Sequence, residues 1–154
     1  MDRSFRPAVL FTLLILGLAQ FAPTMAMSQE AAADRREDVV YGRKDGLALT
    51  MDVFTPKQNA NGAAIVWMIS GGWFSTHDAI NQPSIAEFLR RGYTVFAVVH
   101  GSQPRYTIPD AIADMNLAVR YIRQHAEEFH IDPDRIGVTG ASAGGHLSPM
   151  LGTA

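Results

Sequence analysis

The segment Gly140-Ala141-Ser142-Ala143-Gly144-Gly145 is the part of this chain best equipped for chemistry. Its serine has a glycine two positions away on each side. Ile136-Gly137-Val138-Thr139, which reads as a short buried strand, precedes it, and His146-Leu147-Ser148, which reads as the start of a helix, follows it. A strand that turns directly into a helix leaves room only for small residues. Glycines there let the two elements approach closely and push the serine out at the end of the sheet. The chemistry open to such a hydroxyl is nucleophilic attack. Because serine is a poor nucleophile at neutral pH, it also requires an adjacent base.

The elements that must position this serine follow from apolar patterning. Residues 63–69 and 94–99 are apolar throughout, as in strands buried on both faces of a parallel sheet. Residues 47–54 alternate apolar and polar and stop at Pro56, predicting a strand with one wet face that pairs as a hairpin with a first strand at Val39-Val40-Tyr41. Residues 83–91 place Ile85, Phe88 and Leu89 on one helical face, with Gly92 as the stop. From Pro109 onward, Ile112, Met115, Val119, Ile122, Ala126 and Phe129 recur at alternating spacings of three and four, predicting an amphipathic helix. Asp114, Arg120, Arg123, Gln124 and Glu127 fall to its polar face. The fold class is therefore α/β: a mostly parallel sheet with helices on both faces. In such sheets ligands sit beyond the carboxyl ends of the strands. Residues 70–77, residues 100–106 and the serine turn all meet there.

Composition excludes several classes of function. The chain has 154 residues, 47% hydrophobic and 18% charged, with a formal net charge of −2. That balance suits a globular domain and gives no basis for nucleic-acid binding. With no cysteine, disulfides, thiolate metal sites and a cysteine nucleophile are ruled out. No metal or cofactor is implied. At the N-terminus, Arg3 and Arg6 precede an apolar run over residues 8–19, and Thr24-Met25-Ala26 offers small residues at a cleavage site. These features predict a signal peptide over residues 1–26 and a secreted or periplasmic protein with no stable membrane span after cleavage. The alternative is an uncleaved anchor helix, which Gln20 and Pro23 disfavour by interrupting the run early. A disordered leader is expected over 27–38, then a domain over 39–154.

Four features together resemble the α/β-hydrolases of the esterase/lipase type, near the group that includes carbohydrate-acetyl and feruloyl esterases. They are Gly71-Gly72-Trp73 after a buried strand, Pro109 with Asp114 opening a helix, Ile131-Asp132-Pro133-Asp134-Arg135-Ile136, and residues 140–145. The resemblance runs from about Leu47 to the last residue. It implies the α/β-hydrolase fold and serine-dependent hydrolysis of a carboxylic ester, with a small-molecule or carbohydrate-linked substrate. Ser142 would be the nucleophile, and the backbone N–H groups of Ala143, Gly71 and Gly72 the oxyanion donors. The chain departs from the family's His-Gly-Gly-Gly-Trp pattern: Ile69 stands at the histidine and Ser70 at the first glycine. Trp73 and Phe74 are candidates to wall an acyl pocket, or to pack in the core.

The base is harder to place. The family order is serine, then Asp or Glu, then His, and the 12 residues after Ser142 contain no carboxylate. The triad's acid and base are therefore expected beyond residue 154, in a fold cut after the serine turn. Among the histidines, His146 sits one helical turn past Ser142 and is a candidate base, but its helix leads away from the serine and no carboxylate holds it, so it reads as a packed or hydrogen-bonded helix residue. His77 and His100 are expected near the mouth of the site, within reach of substrate. His125 and His130 belong to the end of the long helix. Pro149 predicts a kink or an early end in the helix after the serine turn. Two other readings remain: a non-catalytic binding module on the same scaffold, and a nucleotide-binding βαβ unit. The second lacks both the G-x-G-x-x-G spacing and a lysine after the glycines.

Overall fold

The computed structural model describes residues 33–152, so the expected signal segment over 1–26 lies outside the described residues. In chain order the elements are β1 (Ala33–Lys44), β2 (Leu47–Pro56), β3 (Ala64–Ile69), α1 (Gln82–Arg90), β4 (Thr94–Val99), α2 (Ile108–Gln124), β5 (Ile136–Gly140) and α3 (Ala143–Gly152). The strands form one sheet in the order β1-β2-β4-β3-β5. β3, β4 and β5 run parallel, and β2 and β1 extend the sheet antiparallel beyond β4.

From β3 the chain goes out through α1 to β4, then back through α2 to β5 on the other side of β3. The two crossovers put helices on opposite faces. α1 lays Ile85 and Leu89 against Phe54, Ile69, Val95 and Ala97. On the other face, α2 contributes Met115, Ala118, Val119 and Ile122, and α3 contributes Leu147, to a core with Met51, Val66, Met68, Phe96 and Val98. The reversal of direction opens a crevice at the carboxyl ends of β3 and β5, where sheets of this kind carry their sites. Among the described residues no helix is long and apolar enough to cross a membrane.

α1 ends as its sequence predicts. Gly92 takes φ +83°, its N–H donates to the Leu89 carbonyl (3.0 Å), and Tyr93 N–H reaches Phe88 O (3.0 Å). A side chain is strained at that φ, and a Cβ would also lie 2.0 Å from the Asn59 carbonyl oxygen.

Several elements differ from the sequence expectation. β1 starts at Ala33, so residues 33–38, expected in a leader, belong to the sheet instead, with 33–36 in register against β2 and an irregularity before Val39. Their side chains are mostly exposed, and charge rather than apolar burial fastens them. Arg35 donates through Nε (2.9 Å) and Nη2 (2.5 Å) to Asp52, a carboxylate with no solvent exposure, and Arg36 reaches Glu128 (2.6 Å). β2 has no wet face from Met51 to Phe54, because all four residues are buried. α2 closes at Gln124 rather than continuing to Phe129. His125 leaves helical geometry at φ −109°, and its Nδ1 bonds the Tyr121 carbonyl (2.8 Å). Pro149 lies inside α3, which runs on to Gly152 and does not end early.

Asp52 also accepts from Asp38 N–H (3.1 Å) and pairs with His77 Nδ1 (3.0 Å). Asp38, Asp52 and His77 bring ligand-type atoms within 4.8 Å of one another, but the Asp52 carboxylate is already held on both oxygens. Removing one partner leaves a buried charge uncompensated. Arg35 is one-third exposed and His77 remains in place, so Arg35→Met is expected to cost about 2 kcal/mol, less than a fully buried pair. Urea unfolding of the full-length gene product measures it, and an unchanged midpoint would rule the estimate out.

Candidate active site

β5 hands the chain to α3 through Ala141 and Ser142. Ser142 is held at φ +53°, the left-handed region that a side chain enters only under constraint. The constraint is visible in the glycines around it. A Cβ on Gly144 would lie 2.3 Å from the Met68 carbonyl oxygen in β3, and one on Gly140 would lie 2.7 Å from Gly144 C. The N-terminus of α3 thus rests directly on the end of β3, and the turn between has no slack. Gly144 N–H bonds both Ala141 O (2.9 Å) and Ser70 O (3.1 Å), tying the turn to the loop that follows β3.

Ser142 is exposed, and among the described residues no side chain hydrogen-bonds its hydroxyl. It lines a cleft of ≈ 220 Å³ with Trp67, Ser70, Gly71, Asn81 and Ser84. Of the expected donors, Gly71 is not available: its N–H bonds Phe74 O (2.9 Å), and Phe74 N–H returns to Gly71 O (2.9 Å). That closed loop turns at Gly72 (φ +56°) and Trp73 (φ +70°). Among the described residues, the N–H groups of Gly72, Trp73 and Ala143 donate to no protein acceptor.

The histidines fall differently from expectation. His77 and His100, expected to face substrate, both turn into the fold. His77 bonds Asp52 and Thr50 Oγ1 (2.7 Å). His100 is 4% exposed. Its Nδ1 contacts the Gly101 carbonyl (2.7 Å), which can only accept, so Nδ1 carries the proton and Nε2 accepts from Ser70 Oγ (2.9 Å). His146 is exposed and sets its ring edge-on against Trp73, with ring centres 5.6 Å apart at 88°. Trp73 also packs against the core, while Phe74 stays 55% exposed, and neither lines the Ser142 cleft.

Asp114, placed by periodicity on the polar face of α2, is in fact buried. It accepts from Gly101 N–H (3.0 Å) and from Lys44 Nζ (3.0 Å). It shares a helical face with Ala111 and Ala118, which was the available sign of its burial.

Burial holds the His100 pKa below its ordinary 6.5. The Gly101 carbonyl and the Asp114 carboxylate oppose that shift, and the Lys44 ammonium adds to it. The charged groups acting on His100 are Lys44 from β1 and Asp114 from α2. As pH falls below 6.5 the unfolded chain takes up a proton that the folded one refuses. The stability present above 6.5 is therefore lost progressively until the pH passes the lower folded pKa. Thermal midpoints across that window should slope downward toward acid, and His100→Gln should flatten the slope. An identical slope in His100→Gln would assign it to another group.

Comparison with known proteins gives a consistent neighbourhood. Residues 51–154 match the BD-FAE family model. The probable carboxylic ester hydrolase LipM of Mycobacterium tuberculosis is 34% identical over 117 residues, covering 73% of this chain and 27% of its own. The acetylxylan esterase of Xylanibacter ruminicola is 31% identical over 150 residues, covering 92% of this chain and 28% of its own. Among solved structures, propionate-bound esterase 2 of Thermogutta terrifontis aligns with TM-score 0.64 at 32% identity, over 77% of this chain and 44% of that one. A truncated carbohydrate esterase from gut microbiota aligns with TM-score 0.68 at 30% identity, over 79% and 44%. The chain spans about a quarter of these two curated relatives and under half of the two solved structures.

Proposed function

The chain belongs to the BD-FAE family and has the α/β-hydrolase fold of esterases, and from that premise we propose that its gene product hydrolyses carboxylic esters through Ser142. The observation that carries this reading is the left-handed, glycine-locked turn that presents an unpartnered Ser142 hydroxyl to a cleft. In the proposed reaction Ser142 Oγ attacks the acyl carbon as its proton passes to a histidine. The oxyanion takes N–H bonds from Ala143 and from Gly72, with Trp73 N–H as a further donor. The alcohol leaves with that proton, and water then releases the acid from Ser142. The histidine and its carboxylate come from outside the described residues. Gly71, in this reading, shapes the loop rather than donating. The substrate class is a small acyl ester, free or carried on carbohydrate, and residues 1–26 direct the protein out of the cytoplasm.

The test combines turnover with labelling. The full-length product is assayed on short-chain chromogenic esters and inactivated with an organophosphate, and the adduct is mapped by peptide mass. A single adduct on Ser142 together with loss of turnover supports the reading. An adduct elsewhere would reassign the nucleophile, and no ester turnover would move the scaffold to a binding role.

A further inference from the structure

The loop between β3 and α1 is closed at both stems by one residue that the proposed reaction does not use. At the start of the loop, Ser70 donates its hydroxyl to His100 Nε2 (2.9 Å). At its end, Ser75 Oγ accepts the His100 backbone N–H (3.1 Å) and donates to the Ile69 carbonyl. Ser102, two residues along from His100, accepts Ser75 N–H (2.8 Å) and returns a bond to Ser75 O (3.2 Å). Ser70, Ser75 and His100 are all buried, at 7%, 7% and 4% exposure. His100 is itself anchored: Nδ1 is held by the Gly101 carbonyl (2.7 Å), and Gly101 N–H is held by Asp114 (3.0 Å). The Ser70 carbonyl, meanwhile, takes the Gly144 N–H beside Ser142.

We propose that His100 is the positioning residue of this active site, acting through Ser70 to hold the 70–75 loop so that the Gly72 and Trp73 N–H groups face the same point as Ala143 N–H. The inference rests on the ester-hydrolase reading above and deepens it. Ile69 occupies the place of the histidine in the motif this loop resembles, and the imidazole that touches the loop comes instead from the end of the neighbouring strand. A loop whose N–H groups have no protein acceptor among the described residues has no intrinsic reason to keep them aligned. Two buried stems on one residue, Ser70 on its imidazole and Ser75 on its backbone N–H, remove that freedom before substrate arrives. His100 touches no reacting atom; its effect passes entirely through Ser70 and Ser75.

The test is a double-mutant cycle on the full-length enzyme, with Ser142→Ala assayed alongside on the same ester. Ser70→Ala, which deletes one atom, and His100→Leu, which keeps bulk without an acceptor, should each lower kcat on the order of 30-fold with KM changed less than about twofold. The double variant should be no slower than the worse single, because both remove the same bond. His100→Gln restores an acceptor near the Nε2 position and should recover most of kcat. A kcat unchanged in Ser70→Ala, or losses that multiply in the double variant, would overturn the proposal, even if melting temperatures fall. Turnover surviving in Ser142→Ala would instead sink the ester-hydrolase reading, so the two failures are separable.

Discussion

Ser142→Ala is expected to lower kcat for the proposed ester hydrolysis about a million-fold in the full-length product, roughly 8 kcal/mol of barrier, with KM little changed. The loss is large because no other group among the described residues can take over. The remaining catalysis comes only from N–H donors acting on a direct attack by water. The geometry makes this substitution unusually clean. Alanine and serine both carry a Cβ, so both bear the same strain at φ +53°, and the variant should melt with the parent. Ser142→Gly separates strain from chemistry: it should be equally inactive yet more stable by about 1 kcal/mol, since glycine occupies that region freely. Steady-state kinetics with thermal melts of all three proteins decide the matter. Full turnover in Ser142→Ala would end the assignment.

The second large effect belongs to a residue with no side chain. Gly144→Ala should cost about 3 kcal/mol and slow turnover about a hundredfold. Its Cβ would stand 2.3 Å from the Met68 carbonyl oxygen, and Met68 is backbone held in the sheet between Val98 and Gly140. No rotamer relieves that overlap, so α3 must lift away from β3, carrying Ala143 N–H with it. The neighbouring glycines provide a graded series. At Gly140 the nearest atom to a Cβ lies at 2.7 Å, and at Gly145 it is the Gly140 oxygen at 3.1 Å. Melting temperatures should therefore fall most for Gly144→Ala, less for Gly140→Ala and least for Gly145→Ala. Equal losses at all three would show that the turn accommodates bulk by a route other than strand–helix separation.

The parts of this fold legible in sequence are those where apolar burial sets the pattern. The unbroken runs of β3 and β4 place those strands within a residue, the three–four spacing places the start of α2 but overruns its end by five residues, and the glycines at 140 and 144 mark a contact that only glycine permits. What was not legible is held by polar groups distant in sequence. The first six residues of β1 show no apolar period because Arg35 and Arg36 fasten them to Asp52 and Glu128, 17 and 92 positions away. His100 looks from its neighbours like a histidine at a loop mouth. Its burial depends on Ser70, 30 residues earlier. Gly71 reads as a donor from its motif, and only the folded loop shows its N–H turned to Phe74.

The edge-on stacking of Trp73 on His146 joins the loop after β3 to the helix after Ser142. It also gives the site a built-in optical reporter. An imidazolium accepts an electron from excited indole and quenches its emission, whereas neutral imidazole does so far less. Of the two tryptophans, Trp67 packs against Phe88 instead, with ring centres 6.0 Å apart, and supplies a steady background. Emission from Trp73 therefore carries the separation of His146 from the loop. Any event that moves the loop relative to the helix can be followed in real time without an added dye.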